Sequence, residues 1–163
     1  MLSKTMLKAL NDQLNSEMTS SYLYLGMAAY FKSANLDGFA AWMSGHSREE
    51  WGHAMKIWGY VYDQRARVTL ADIKKPSESW KSPVDVFSAA IKAEEKTTAQ
   101  INDLVSLAQK ENDHATFAFL QWFVSEQVEE EQLFDVILQK LKLIGEHFPA
   151  LMMLDRGLGE SSH

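Results

Sequence analysis

Apolar residues recur at helical spacing along most of this 163-residue chain, and no stretch alternates as a strand would. One stripe runs Leu7, Leu10, Leu14, Glu17, Ser21, Tyr24, Ala28 and Phe31. A second holds Phe39, Met43, His46, Glu50, His53, Ile57 and Tyr60. A third has Phe87, Ile91, Glu94, Thr98, Ile101, Val105 and Ala108. The fourth has Phe117, Leu120, Val124, Gln127, Glu130, Phe134, Leu138 and Leu141. Four long stripes and no strand leave an all-α fold.

The punctuation divides the stripes into helices. Ser3 can cap the first helix, and Asn35 with Asp37 the second. Ser82, Pro83 and Asp85 form an N-terminal signature for the third. Asp113 can cap the fourth, and Gly145 suits its end. The expected helices span residues 3–33, 35–63, 82–111, 113–144 and 148–158, within one domain over 1–163. Short turns make helices one and two, and three and four, antiparallel neighbours. Between the pairs lies QRARVTLADIKKPSESWK, residues 64–81, too polar and irregular for a helix. Helices of about 27 residues are ~40 Å long at ~1.5 Å per residue. An extended connection of this length reaches ~60 Å, enough to run the length of a bundle. The expectation is a four-helix bundle with one long crossover loop and a short fifth C-terminal helix. That last segment, FPALMML at 148–154, is too apolar to bury on a lone bundle and is expected at a subunit contact.

The polar residues on the stripes share a repeat. Glu17 and Glu50 are 33 residues apart, as are Glu94 and Gln127. An offset of 77 residues carries Glu17 to Glu94, Glu49 to Glu126, Glu50 to Gln127 and His53 to Glu130. The two hairpins read as copies related by an approximate two-fold. Each of these groups falls near mid-helix, so Glu17, Glu50, His53, Glu94, Gln127 and Glu130 converge in one interior volume. Burying such a cluster uncompensated would be prohibitive, whereas two divalent ions would balance its four carboxylates. Oxygen donors with a single imidazole favour iron or manganese. Two bridged iron ions would suit two-electron reduction of oxygen.

Composition narrows the alternatives. The chain has no cysteine, which removes disulfides, thiolate metal sites and cysteine nucleophiles. Glu49, not histidine, precedes Glu50, so the metalloprotease HExxH pattern is absent. A formal charge of −6 disfavours nucleic acid and anionic membranes as partners and suits cations. The N-terminal stretch lacks the continuous apolar core of a signal peptide, and no segment is apolar enough for a membrane span. The expected location is cytoplasmic.

Glu17, Tyr24, EEWGH at 49–53, Glu94 and FLQWFVSEQVEEE at 119–131 resemble a bacterial non-haem ferritin along essentially the whole chain. The resemblance implies a hollow shell of 24 subunits that oxidises Fe(II) with O2 or H2O2 and stores ferric oxyhydroxide. It implies that Glu17, Glu50 and His53 bind a first iron, and that Glu50 bridges to a second held by Glu94 and Glu130, with Gln127 close by. Glu49, Glu126 and Glu129 would form a third iron site with Glu130. Tyr24 would hydrogen-bond a ligand or supply an electron. His46, one turn before Glu50, reads equally as supporting a ligand or as a satisfied core histidine. Trp122 reads as packing, and His114, His147 and His163 as surface or terminal residues. Bacterioferritins have methionine after the bridging glutamate and a second ExxH. Here Trp51 and the pair Gln127 and Glu130 stand in those places, so no haem is expected. The alternative is a di-iron oxidase or peroxidase of rubrerythrin type without storage.

Overall fold

The computed structural model describes residues 1–161; His163 lies outside them. Five helices follow one another: α1 (Lys4–Ser33), α2 (Asp37–Asp63), α3 (Pro83–Lys110), α4 (His114–Ile144) and α5 (Phe148–Ser161). Among the described residues there is no strand. Among the described residues no helix is long and apolar enough to cross a membrane.

Three of the expected caps form. Ser3 Oγ accepts from the amide of Met6 at 2.9 Å, Ser82 Oγ from that of Asp85 at 3.2 Å, and Asp113 Oδ1 from that of Thr116 at 3.0 Å. Gly145 ends α4 at a φ of 56°. The start of α2 differs from expectation. Asn35 is consumed in ending α1: it sits at a φ of 59°, in the left-handed region that asparagine tolerates, while Leu36 N bonds back to Phe31 O at 2.9 Å. The cap position falls to Leu36, whose side chain cannot accept a hydrogen bond. Asp37 is already helical and pairs with Lys32 at 2.7 Å. The buried amide of Phe39, free of any bond within its own helix turn, instead donates to Asp155 Oδ1 on α5, 116 residues away, at 2.9 Å.

That bond explains much of α5. Asp155 and Leu158 are buried, and Leu158 joins the core. Gly38 lets the helices approach this closely, because a Cβ there would lie 1.6 Å from the Asp155 carbonyl oxygen. Asp155 and Leu158 thus anchor α5 from beyond FPALMML, in which no residue is buried and Phe148 and Met153 are exposed.

The crossover runs along the outside of α1. Thr69 N donates to Asn11 at 2.9 Å, Pro76 lies on Gly26, and Trp80 meets Tyr30 edge to face. It connects opposite ends of the bundle, so α3 starts beside the end of α1. Each bundle end has its own apolar core. One gathers Phe31, Phe39, Trp42, Phe87 and Phe134, and the other Met6, Leu10, Leu14, Ile57, Ile101 and Leu120. Each such side chain contributes roughly 1.5–3 kcal/mol on burial. Between the two cores lies a belt of buried polar groups that contributes nothing of the kind.

Candidate metal centre

All four bundle helices supply the belt. Glu17 comes from α1, Glu50 and His53 from α2, Glu94 from α3, and Gln127 and Glu130 from α4. Each of these residues is at most 5% exposed. The i, i+3 spacing of Glu50 and His53 puts both on one helix face, with His53 Nδ1 3.3 Å from Glu50 Oε2. The same nitrogen lies 3.9 Å from Glu17 Oε2.

Ligand atoms converge in two interior groups that could each hold an ion, Glu17 with Glu50 and His53, and Glu50 with Glu94 and Glu130. Glu50 belongs to both and is the natural bridge. Two further groups lie outwards of Glu130. One joins it to His46 and the exposed Glu49, the other to His53 and the half-buried Glu126. Among the described residues, Glu129 is exposed and stands in none of these groups. The four carboxylates expected around a third ion are thus not gathered at one point.

The arrangement is under electrostatic stress. Burial, then the Glu50 charge, pushes the Glu17 carboxyl well above the usual carboxylate range. Burial, then the charge on Glu94, does the same to Glu50. Glu94 is raised less, because Tyr24 and Gln127 donate to it. The Tyr24 hydroxyl makes a short bond to Glu94 Oε1, and burial with that neighbour raises the phenol far above its ordinary value. Gln127 Nε2 donates to Glu94 Oε2 at 3.1 Å and to Thr98 Oγ1 at 3.2 Å. Its amide thus supports Glu94.

Among the described residues, five buried side-chain atoms have no hydrogen-bond partner: Glu17 Oε2, His46 Nε2, Glu50 Oε1, His53 Nδ1 and Glu130 Oε2. Buried polar groups ordinarily find partners, so a set of orphans aimed at one volume marks a missing one. Carboxylate oxygens and imidazole nitrogens together are the donor set of a first-row divalent cation.

Sequence reasoning overlooked Gln13, which donates to Glu17 Oε1 at 2.8 Å; its place one turn before Glu17 was the available signal. Trp122 is 38% exposed, stands edge-on to His53 and carries Lys56 Nζ over its ring at 3.8 Å. His114 and His147 are exposed, as expected.

A profile described as the ferritin-like domain matches residues 7–144. The chain is 43% identical over 156 residues to the bacterial non-heme ferritin of Campylobacter jejuni, covering 96% of this chain and 93% of that protein. It is 35% identical over 159 residues to the bacterial non-heme ferritin of Staphylococcus aureus strain NCTC 8325, covering 98% and 96%. Among solved structures, an open pore ferritin from the archaeon Archaeoglobus fulgidus superposes with a TM-score of 0.97 at 45% identity, over 98% of each chain.

Proposed function

Starting from the premise that this chain belongs to the family of ferritin-like domains, we propose that it oxidises Fe(II) and stores the product as ferric oxyhydroxide inside a closed shell of its own copies. The observation that carries the reading is the set of orphaned ligand atoms sealed between two apolar cores. A purely structural bundle would be more stable with apolar side chains in their place.

Iron is substrate here. Glu17, Glu50 and His53 take one Fe(II); Glu50, Glu94 and Glu130 take its neighbour. Two Fe(II) carry +4 against the −4 of these carboxylates. Binding displaces the protons that burial holds on Glu17 and Glu50. Two Fe(II) then yield two electrons, which with two protons reduce O2 to H2O2, or H2O2 to two waters. Tyr24 keeps one Glu94 oxygen occupied and is near enough to pass an electron. Glu49, Glu126 and Glu129 line the route away from Glu130 towards solvent, and we assign them to iron in transit or in a third site. The chain works in the cytoplasm and needs no haem.

The test adds Fe(II) in air to the assembled protein and follows ferric absorbance through size exclusion with light scattering. We expect soluble iron eluting with a particle of roughly 440 kDa, the mass of 24 chains of 18.5 kDa. A monomer or dimer would end the storage reading. Ferric precipitate separate from protein would do the same while leaving oxidation intact.

A further inference from the structure

Both oxygens of Glu94 accept a hydrogen bond, Oε1 from the Tyr24 hydroxyl and Oε2 from Gln127 Nε2. With Tyr24 on Oε1, the oxygen left for an ion is Oε2, and the Gln127 amide sits on it. Two residues one helical turn further on hold that amide. Thr98 follows Glu94 by four positions and Glu131 follows Gln127 by four, so the second pair meets across α3 and α4 in the register of the first. Gln127 Nε2 donates to Thr98 Oγ1 at 3.2 Å and reaches the main-chain carbonyl oxygen of Glu94 at 3.3 Å. Thr98 Oγ1 in turn donates to Glu131 Oε1 in a short bond.

A threonine hydroxyl has one proton to donate. Thr98 gives it to Glu131, so towards Gln127 it can only accept. An acceptor at that place keeps the NH2 end of the amide against Glu94 and its carbonyl oxygen turned away. On the reading of Glu94 as a ligand of the second ion, we propose that Thr98 and Glu131 are positioning residues for its release. Acting through Gln127, they latch a donor onto Glu94 Oε2. An arriving ion must take that oxygen from an amide that Thr98 keeps from swinging aside, and is held more loosely for it.

The repeat shows that the fold does not require the latch. The residue 77 positions before Thr98 is Ser21, whose Oγ donates instead to the Ser47 carbonyl oxygen at 2.7 Å. The residue 77 positions before Glu131 is Ala54, fully buried in an apolar core. Glu50 stands at the place of Gln127, and among the described residues its Oε1 has no hydrogen-bond partner. The first hairpin thus packs without either latch residue. Thr98→Val keeps the shape of the side chain and should remove only the acceptor.

The experiment titrates the assembled protein with Co(II) in the absence of oxygen, by calorimetry, with light scattering to check assembly. Wild type should bind an interior pair, the second ion more weakly than the first. Thr98→Val should bind the second ion about threefold to tenfold more tightly, the scale of one hydrogen bond, and leave the first unchanged. Glu131→Gln should act in the same direction, because its amide can donate to Thr98 and free the hydroxyl proton to face Gln127. Thr98→Ser keeps the hydroxyl and should match wild type. A second affinity that is unchanged or weaker in Thr98→Val and Glu131→Gln would overturn the latch and leave the proposed function standing. So would a change shared equally by both ions, which is what a packing role alone would give. Wild type that binds no pair would overturn latch and function together, a result distinct from a pair indifferent to Thr98. If Thr98→Val fails to assemble, the isosteric Glu131→Gln decides.

Discussion

In the first hairpin, α1 with α2, the buried ligands are left wanting, whereas in the second, α3 with α4, Glu94 is already served. Among the described residues, Glu17 Oε2, Glu50 Oε1 and His53 Nδ1 have no hydrogen-bond partner, and in the second half Glu130 Oε2 shares that lack. Glu94, the counterpart of Glu17, accepts from both Tyr24 and Gln127. The difference comes from how the repeat is decorated. The residue 77 positions after Tyr24 is Ile101, so Glu17 receives no matching phenol. Neutral Gln127 replaces the carboxylate of Glu50, and Glu130 replaces the imidazole of His53. An ion on the first half relieves unpaired burial. An ion on the second competes with the hydrogen bonds that Glu94 already accepts, so it should be held more loosely. One plan thus yields a retaining half and a releasing half.

The comparison breaks most visibly if the first half is dispensable. Glu17→Ala and His53→Ala are each expected to slow rapid Fe(II) oxidation by roughly a hundredfold or more, on the scale of losing a group that binds the reacting centre. Both should still assemble, because the apolar cores on either side of the belt are untouched, and Glu17→Ala also removes a like charge from beside Glu50. Stopped-flow absorbance together with light scattering checks both claims. Wild-type rates in assembled variants would show the half-sites to be misassigned.

A smaller effect should follow from erasing the asymmetry. Gln127→Glu with Glu130→His gives α4 the carboxylate and imidazole that α2 has. The second ion then gains a stronger oxygen ligand and a nitrogen, and its retention should rise about tenfold. Iron remaining after desalting should increase, and a second addition of Fe(II) should be oxidised more slowly than the first. Equal retention and equal second-round rates would mean that Gln127 and Glu130 do not set release.

What was legible in the sequence follows the same division. Glu17, Glu50, His53 and Glu94 stand out because a charged residue on an apolar stripe breaks a period, and period is what sequence displays. The turns repeat too, with Asn35 and Asn112 both left-handed and 77 positions apart. The cap of α2 was not legible, because Leu36 is core and the acceptor arrives from Asp155 on a later helix. Nor could spacing separate His46 from Phe123, since either ring fits the stripe. Separating Glu126 from Glu129 needed side-chain directions. Both lie near Glu130 in sequence, but only Glu126 turns inwards, 3.8 Å from His53 Nε2.

The smallest expected effect isolates the stress on the first half without any metal. Burial and the Glu50 charge raise the Glu17 carboxyl well above its ordinary value of 4.5. A group raised on folding binds its proton more tightly in the folded state. Its contribution to stability is therefore complete below the unfolded value and is lost as pH rises through the folded one. Metal-free wild type should lose stability from about pH 4.5 upwards on this account. Glu17→Gln keeps the acceptor for Gln13 Nε2 but cannot ionise, so this contribution is absent. The variant should match wild type near pH 4.5 and exceed it increasingly towards pH 8. Each kcal/mol of difference corresponds to about 2–4 °C in a chain of this size. Melting curves of both proteins in chelator, across that range, give the answer. The same substitution at the second half, Glu94→Gln, should open a smaller gap, because Tyr24 and Gln127 already stabilise the Glu94 charge. If the two gaps were equal, or larger for Glu94, the contrast between a strained and a satisfied half would be lost.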